Sequence, residues 1–259
     1  MELTLDDVKR AAKREDFRAG VQMRLVMPRL SVRLTRWMLR FSAVAPNHIT
    51  LASLLVGLGA AAAFVSTAPL GVLLGLLAFH LHVLLDYVDG EVARCRGETS
   101  VQGAYLDLMT DRLTFPLLVF CAGLGAYRQL GDPNLLIVSF IATFGLCLDK
   151  MVVDSWYRAN TGGGEIEDRY VAAPERSARR VWRGRLSLLA VMARGLTAFL
   201  TYTAVATLLD AHFACPFAAV GSFRALVMWG FAPLMPLGAL ARFVYVYRRG
   251  GIPRRQQLL

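Results

Sequence analysis

Residues 86–111 read DYVDGEVARCRGETSVQGAYLDLMTD, and the fold follows from how this stretch is placed. Asp86 and Asp89 are three residues apart and Asp107 and Asp111 four, so each pair lies on one face of a helix. The flanks, residues 70–85 and 113–126, are apolar and with their neighbours long enough to cross a bilayer. Carboxylates beside such segments are costly unless they face water, a cation or a partner, and so point to function. If Pro69 opens a membrane helix, the roughly 17 residues to Leu85 rise about 25 Å and set Asp86 near the far edge of the hydrocarbon. The charged turn 94–102 permits a reversal, and Gly103 begins a second helix with Asp107 and Asp111 in its first turns. All four carboxylates then meet at one membrane face, where they repel one another unless hard divalent cations intervene. The expectation is a metal site of two Mg²⁺ or Mn²⁺ ions.

The rest of the chain agrees with a membrane setting. Its 259 residues are 56% hydrophobic, with a mean hydropathy of +0.46, and its formal charge of +10 must sit outside the lipid. The charged first residues exclude a conventional signal peptide. Cys95, Cys121, Cys147 and Cys215 show no ligand or disulfide spacing and read as small apolar residues. Six apolar spans are expected, at about 48–66, 69–94, 103–127, 134–158, 186–209 and 223–247. Before them, residues 1–18 read as a solvated helix. Leu30, Leu34, Trp37 and Phe41 then share one helical face, and Arg29, Arg33, Arg36 and Arg40 another. That pattern fits an interfacial helix on an anionic leaflet, with packing against the protein itself as the alternative. The basic residues have apolar partners rather than a free face, which argues against nucleic acid.

Topology follows from the cations. The N-terminal arm, the 94–102 turn, the arginines of the 160–185 loop and those of the tail fall on one side. The other side has little beyond Arg128 and Arg224. By the positive-inside rule both termini and the carboxylates are cytosolic, in the cytoplasmic membrane. The expected protein is therefore all-α, with an arm and interfacial helix at 1–45, a six-helix membrane domain at 46–248 and a basic tail at 249–259.

Asp86, Asp89, Gly90, Ala93, Arg94, Gly103, Asp107 and Asp111 fit D-x2-D-G-x2-A-R-x8-G-x3-D-x3-D without a gap. This resembles the signature of the CDP-alcohol phosphotransferases, integral membrane enzymes of phospholipid synthesis. Pro46, Asn47, His48, Ile49 and Thr50 also resemble that family's lead-in to the first membrane helix. The resemblance implies metal-dependent transfer of a substituted phosphate group from a CDP-alcohol to a hydroxyl acceptor, with release of CMP, by a homodimer. In the commonest version the donor is CDP-diacylglycerol. In a second it is polar, such as CDP-inositol, with inositol phosphate or a lipid alcohol as acceptor.

Taken residue by residue, Asp86, Asp89 and Asp107 read as metal ligands against a pyrophosphate. Gly90, Ala93 and Gly103 leave room for a nucleotide, and Arg94 offers a forked donor to phosphate. Family resemblance makes Asp111 the general base that also touches metal; spacing alone does not separate base from ligand. Lys150 and Arg194 are candidates for holding a phosphate on the acceptor, and Arg112 resembles the inositol-phosphate branches. Asp149 and Lys150 read equally as an internal charge pair. His80 and His82 point to different faces and read as polar helix contacts. An ion-coupled transporter is a rival reading, disfavoured because the acids cluster at one edge and no inverted repeat is visible. A noncatalytic membrane anchor is another, and the intact set of four aspartates speaks against it.

Overall fold

The computed structural model describes residues 8, 21–161, 196–217 and 220–250. Apart from Val8, the expected helix over 1–18 lies outside the described residues, as do Arg194, most of the 160–185 loop and the tail beyond 250. Seven helices follow in order: α1 Val21–Met38, α2 Pro46–Phe64, α3 Pro69–Arg96, α4 Val101–Leu130, α5 Asn134–Thr161, α6 Leu196–His212 and α7 Phe223–Gly250. No strand occurs among the described residues. Of the six expected spans, five (α2, α3, α4, α5 and α7) are long and apolar enough to cross a membrane. The expected span at 186–209 is described only from Leu196, as the 17 residues of α6.

Local chemistry sets the boundaries. Pro46 and Pro69 stand in the first turns of α2 and α3, where no helical N–H is needed. Ser100 caps α4 by accepting from the Gly103 N–H at 3.0 Å. Gly97 ends α3 with φ of 69°, a left-handed conformation that a residue with Cβ adopts at a cost, and so allows the tight reversal into α4.

Packing brings α2, α3 and α4 together around buried Ala60, Phe64, Val72, Phe79, Leu118 and Ala122. On the other side α5 packs along α7, with Gly145 against the backbone at Pro236, and α6 fills in against α3 and α7. Leu55, Leu77, Phe140, Leu237 and Leu240 are exposed on the outer surface, as expected where lipid is the solvent and the helix surface need not be polar. At the end of the bundle away from the carboxylates, Arg224 is fully buried. It donates to the carbonyls of Phe64, Ser66 and Ala122, two of them at the C-terminal end of α2. Asp210 of α6 accepts from Ser222, Gln129 and the first N–H groups of α7.

The stretch expected to form an interfacial helix lies in and just past α1, whose two faces divide. Arg29, Arg33, Arg36, Leu30, Trp37 and, just past its end, Arg40 and Phe41 are exposed. Leu34, expected on the lipid face, instead packs beside Ile49, Val88 and Val92. Ser31 and Thr35 are buried and donate to the Glu91 carboxylate of α3 at 2.7 Å each. Helix α1 therefore rests on the protein along one side and keeps a cationic, aromatic side free.

Candidate functional site

The last turns of α3 carry Asp86, Asp89, Gly90, Ala93 and Arg94, and the first turns of α4 carry Gly103, Asp107, Asp111 and Arg112. The antiparallel crossing set by Gly97 and Ser100 brings these turns side by side. Asp86, Asp89 and Asp107 each offer a carboxylate oxygen, and the three oxygens lie within 4.8 Å of one another. Asp89 is 4% exposed; Asp86 and Asp107 are half-buried. Asp107, Asp111 and Asp89 all act electrostatically on Asp86. So many like charges at this separation are held together only by protonation or by a cation, and an all-oxygen donor set suits Mg²⁺, Mn²⁺ or Ca²⁺.

Neighbouring groups orient this cluster. Thr50, in the first turns of α2, donates its hydroxyl to Asp89 Oδ2 at 2.6 Å, and the Gly90 N–H donates to Asp89 Oδ1. Both carboxylate oxygens thus have a fixed partner. A Cβ on Gly103 would meet Asn47 Oδ1 at 3.2 Å, so the glycine lets the start of α2 close over the start of α4. Arg94 is half-buried at the end of α3. Arg96 donates to the carbonyls of Val44 at 2.6 Å and Phe41 at 2.8 Å, which ties the α1–α2 linker to the same end of α3.

One turn beyond Asp107, Asp111 lines a pocket of about 230 Å³ between α4 and α5. Arg112, Phe115, Lys150, Met151 and Asp154 are among its walls. Arg112 donates to both oxygens of Asp154, at 2.7 and 2.8 Å. Asp149 pairs with Arg242 Nε at 3.0 Å, not with Lys150. Lys150 instead places Nζ over the Phe115 ring, 5.6 Å from its centroid. Arg112 and Asp154 thus form a pair within the pocket wall, and Lys150 and Asp111 line the same space.

His82 is buried, with Nδ1 at 2.8 Å from Ser53 Oγ and Nε2 at 3.3 Å from Thr114 Oγ1, and His80 contacts its own helix at the Leu76 carbonyl. Both histidines are polar helix contacts, as their spacing predicts. The sequence reading missed Thr50 as a partner of Asp89; its only signal was the Pro46–Thr50 resemblance. It also missed Glu91, which no pattern position marks. The four cysteines are free thiols, one of them, Cys147, in the pocket wall.

A family model described as CDP-alcohol phosphatidyltransferase matches residues 43–228. The chain is similar to a bifunctional IPC transferase and DIPP synthase of Thermococcus kodakarensis, 28% identical over 194 residues, covering 73% of this chain and 42% of that protein. It is also similar to an archaetidylinositol phosphate synthase of Aeropyrum pernix, 41% identical over 69 residues, covering 27% of this chain and 34% of that protein. The chain thus spans less than half the length of either relative. The crystal structure of Mycobacterium tuberculosis phosphatidylinositol phosphate synthase with CDP-DAG bound shares the fold, with TM-score 0.57 and 19% identity over 87% of this chain and 98% of that one.

Proposed function

Because the chain belongs to the CDP-alcohol phosphatidyltransferase family, whose model covers residues 43–228, we propose that it transfers a phosphatidyl-type group from a CDP-linked lipid to a phosphorylated polyol, releasing CMP. The observation that carries this reading is the juxtaposition of two features. Three carboxylate oxygens lie within 4.8 Å of one another, and one turn away a pocket holds both Asp111 and Lys150.

The donor set fits a divalent cation. Asp86, Asp89 and Asp107 would hold it, with Asp111 at the margin, and a bound Mg²⁺ or Mn²⁺ supplies charge neutralisation at the donor pyrophosphate. Arg94 adds a fixed cation for a phosphate oxygen. Gly90, Ala93 and Gly103 leave space for the nucleotide to lie against backbone. Asp111 takes the proton from the acceptor hydroxyl. The freed oxygen attacks the phosphorus attached to the donor alcohol, a new P–O bond forms, and the old bridging bond breaks with its electron pair leaving on CMP. Lys150 binds the acceptor's own phosphate, and Arg112, steadied by Asp154, borders the same pocket. Arg194 completes the cationic set in this reading.

The membrane domain at 46–248 is then the catalytic unit, with the 1–45 arm on its surface and the basic tail at 249–259. The positive-inside pattern puts both termini and the site on the cytosolic side, where nucleotide-activated substrates are made. A homodimer follows from the family alone. A second reading, with a polar CDP-alcohol such as CDP-inositol as donor, is favoured by the likeness to the bifunctional IPC transferase and DIPP synthase.

The test is CMP release by purified protein in lipid micelles with Mg²⁺ or Mn²⁺. CDP-diacylglycerol is offered with serine, glycerol 3-phosphate, inositol or inositol 1-phosphate, and CDP-inositol is run in parallel. Metal-dependent release with inositol 1-phosphate, abolished by Asp111→Asn, is the expected result. Release with CDP-inositol alone supports the second reading, and no release with any pair overturns both.

A further inference from the structure

Glu91 follows Gly90 on the turn of α3 that carries Asp86 and Asp89, at a position that the D-x2-D-G-x2-A-R pattern leaves free. Two residues turn a helix by about 200°, so Glu91 and Asp89 leave α3 on nearly opposite sides. Glu91 is 3% exposed. Ser31 donates its hydroxyl to Oε1 and Thr35 to Oε2, each at 2.7 Å. These two donors are one helical turn apart on α1 and fully buried.

A further buried carboxylate in a turn crowded with acids is costly, and a glutamine or an apolar residue would fill the same space without adding charge. Its return is geometric. One hydroxyl on each oxygen fixes both the height and the rotation of α1 on α3, which sliding apolar contacts do not. Arg96 makes a second tie, from the end of α3 to the carbonyls of Phe41 and Val44 just past α1. The turns of α3 just past Asp86 and Asp89 are therefore held at two points from the α1 side, while Thr50 holds Asp89 from α2.

We propose that Glu91, Ser31 and Thr35 are positioning residues: helix α1 braces the turn bearing Asp86 and Asp89 so that its carboxylates keep a metal-binding geometry. The brace rests on the metal reading given above. It assigns α1 a role at the site as well as at the lipid surface.

The experiment uses the full chain in phospholipid nanodiscs. Mn²⁺ affinity is read from the electron paramagnetic resonance of free Mn²⁺, and the Mn²⁺ dependence of CMP release is measured beside it. Ser31→Ala combined with Thr35→Val is expected to raise the Mn²⁺ Kd at least fivefold. The Mn²⁺ needed for half-maximal release rises in step, while kcat at saturating Mn²⁺ stays within twofold. Thr35→Ser, which keeps the hydroxyl, retains wild-type affinity. A double variant with Kd within twofold of wild type overturns the brace, even if it melts earlier. Should the double variant not fold, Glu91→Gln must show an intermediate rise in Kd, and an unchanged value there overturns the brace as well. If the wild-type protein itself binds no Mn²⁺, the metal reading falls and the brace with it; if it binds and the variants match it, the brace alone falls.

Discussion

Replacing Thr50 by valine removes one hydroxyl and keeps the shape of the side chain. That hydroxyl donates to Asp89 Oδ2 at 2.6 Å, between residues 3% and 4% exposed, so water cannot take its place. Its other contact, to the Pro46 carbonyl at 3.3 Å, duplicates a bond of the helix itself and is dispensable. A hydrogen bond to a charged group contributes about 1.5–3 kcal/mol, and about 1.4 kcal/mol corresponds to tenfold in an equilibrium constant. If this bond serves to aim Asp89 at a cation, its loss appears as a roughly 10- to 100-fold rise in the Mn²⁺ Kd, the range known for residues that orient metal ligands. The assay is Mn²⁺ titration of the purified protein, followed by paramagnetic resonance and by CMP release. Thr50→Ser should fall within threefold of wild type. A valine variant with unchanged Mn²⁺ affinity would refute the reasoning, because it would mean that the Thr50 hydroxyl is not what aims the carboxylate.

Other expectations follow from the same geometry. Gly103→Val adds bulk where even a Cβ meets Asn47 Oδ1 at 3.2 Å; it should raise the KM for the CDP-linked donor about tenfold or more by prising α2 from α4, and titration with donor at saturating acceptor checks this. Lys150→Gln should raise the KM for a phosphorylated acceptor by about 10- to 100-fold while leaving the donor KM within twofold, since the ammonium lies in the pocket rather than at the carboxylate triplet. Arg224→Met strips donors from three buried carbonyls; a cost of about 3 kcal/mol would lower the apparent melting temperature by about 6–12 °C without changing Mn²⁺ affinity measured in the cold.

What the sequence made legible is what fixed spacing determines. Four aspartates at offsets of three and four could meet only if two helices ran antiparallel; the helices do, bringing Asp86, Asp89 and Asp107 together with Asp111 one turn beyond. The start of α3 was readable at Pro69, whereas the helix read as starting at Gly103 begins at Val101, because Ser100 caps it there. The structure adds the contacts that link distant segments, which carry no periodic signal. Ser31 and Thr35 sit among arginines and look like spacers until α3 presents Glu91 to them. Leu34 lies on the apolar face by period, yet it packs against Ile49, Val88 and Val92 while Leu30 and Trp37 stay out. Arg112 followed an aspartate in sequence but pairs with Asp154, 42 residues on, because α4 and α5 run side by side there.

The buried Arg224 bears on how the chain is built as well as on how it rests. Its guanidinium needs carbonyls that exist only once α2 has ended and α4 is beside it. A buried guanidinium is costly without such partners, so the docking of α7 at this end depends on α2 and α4 being packed together. Arg224 thus ties α7 to α2 and α4 at one rim of the bundle, at the end away from the carboxylates.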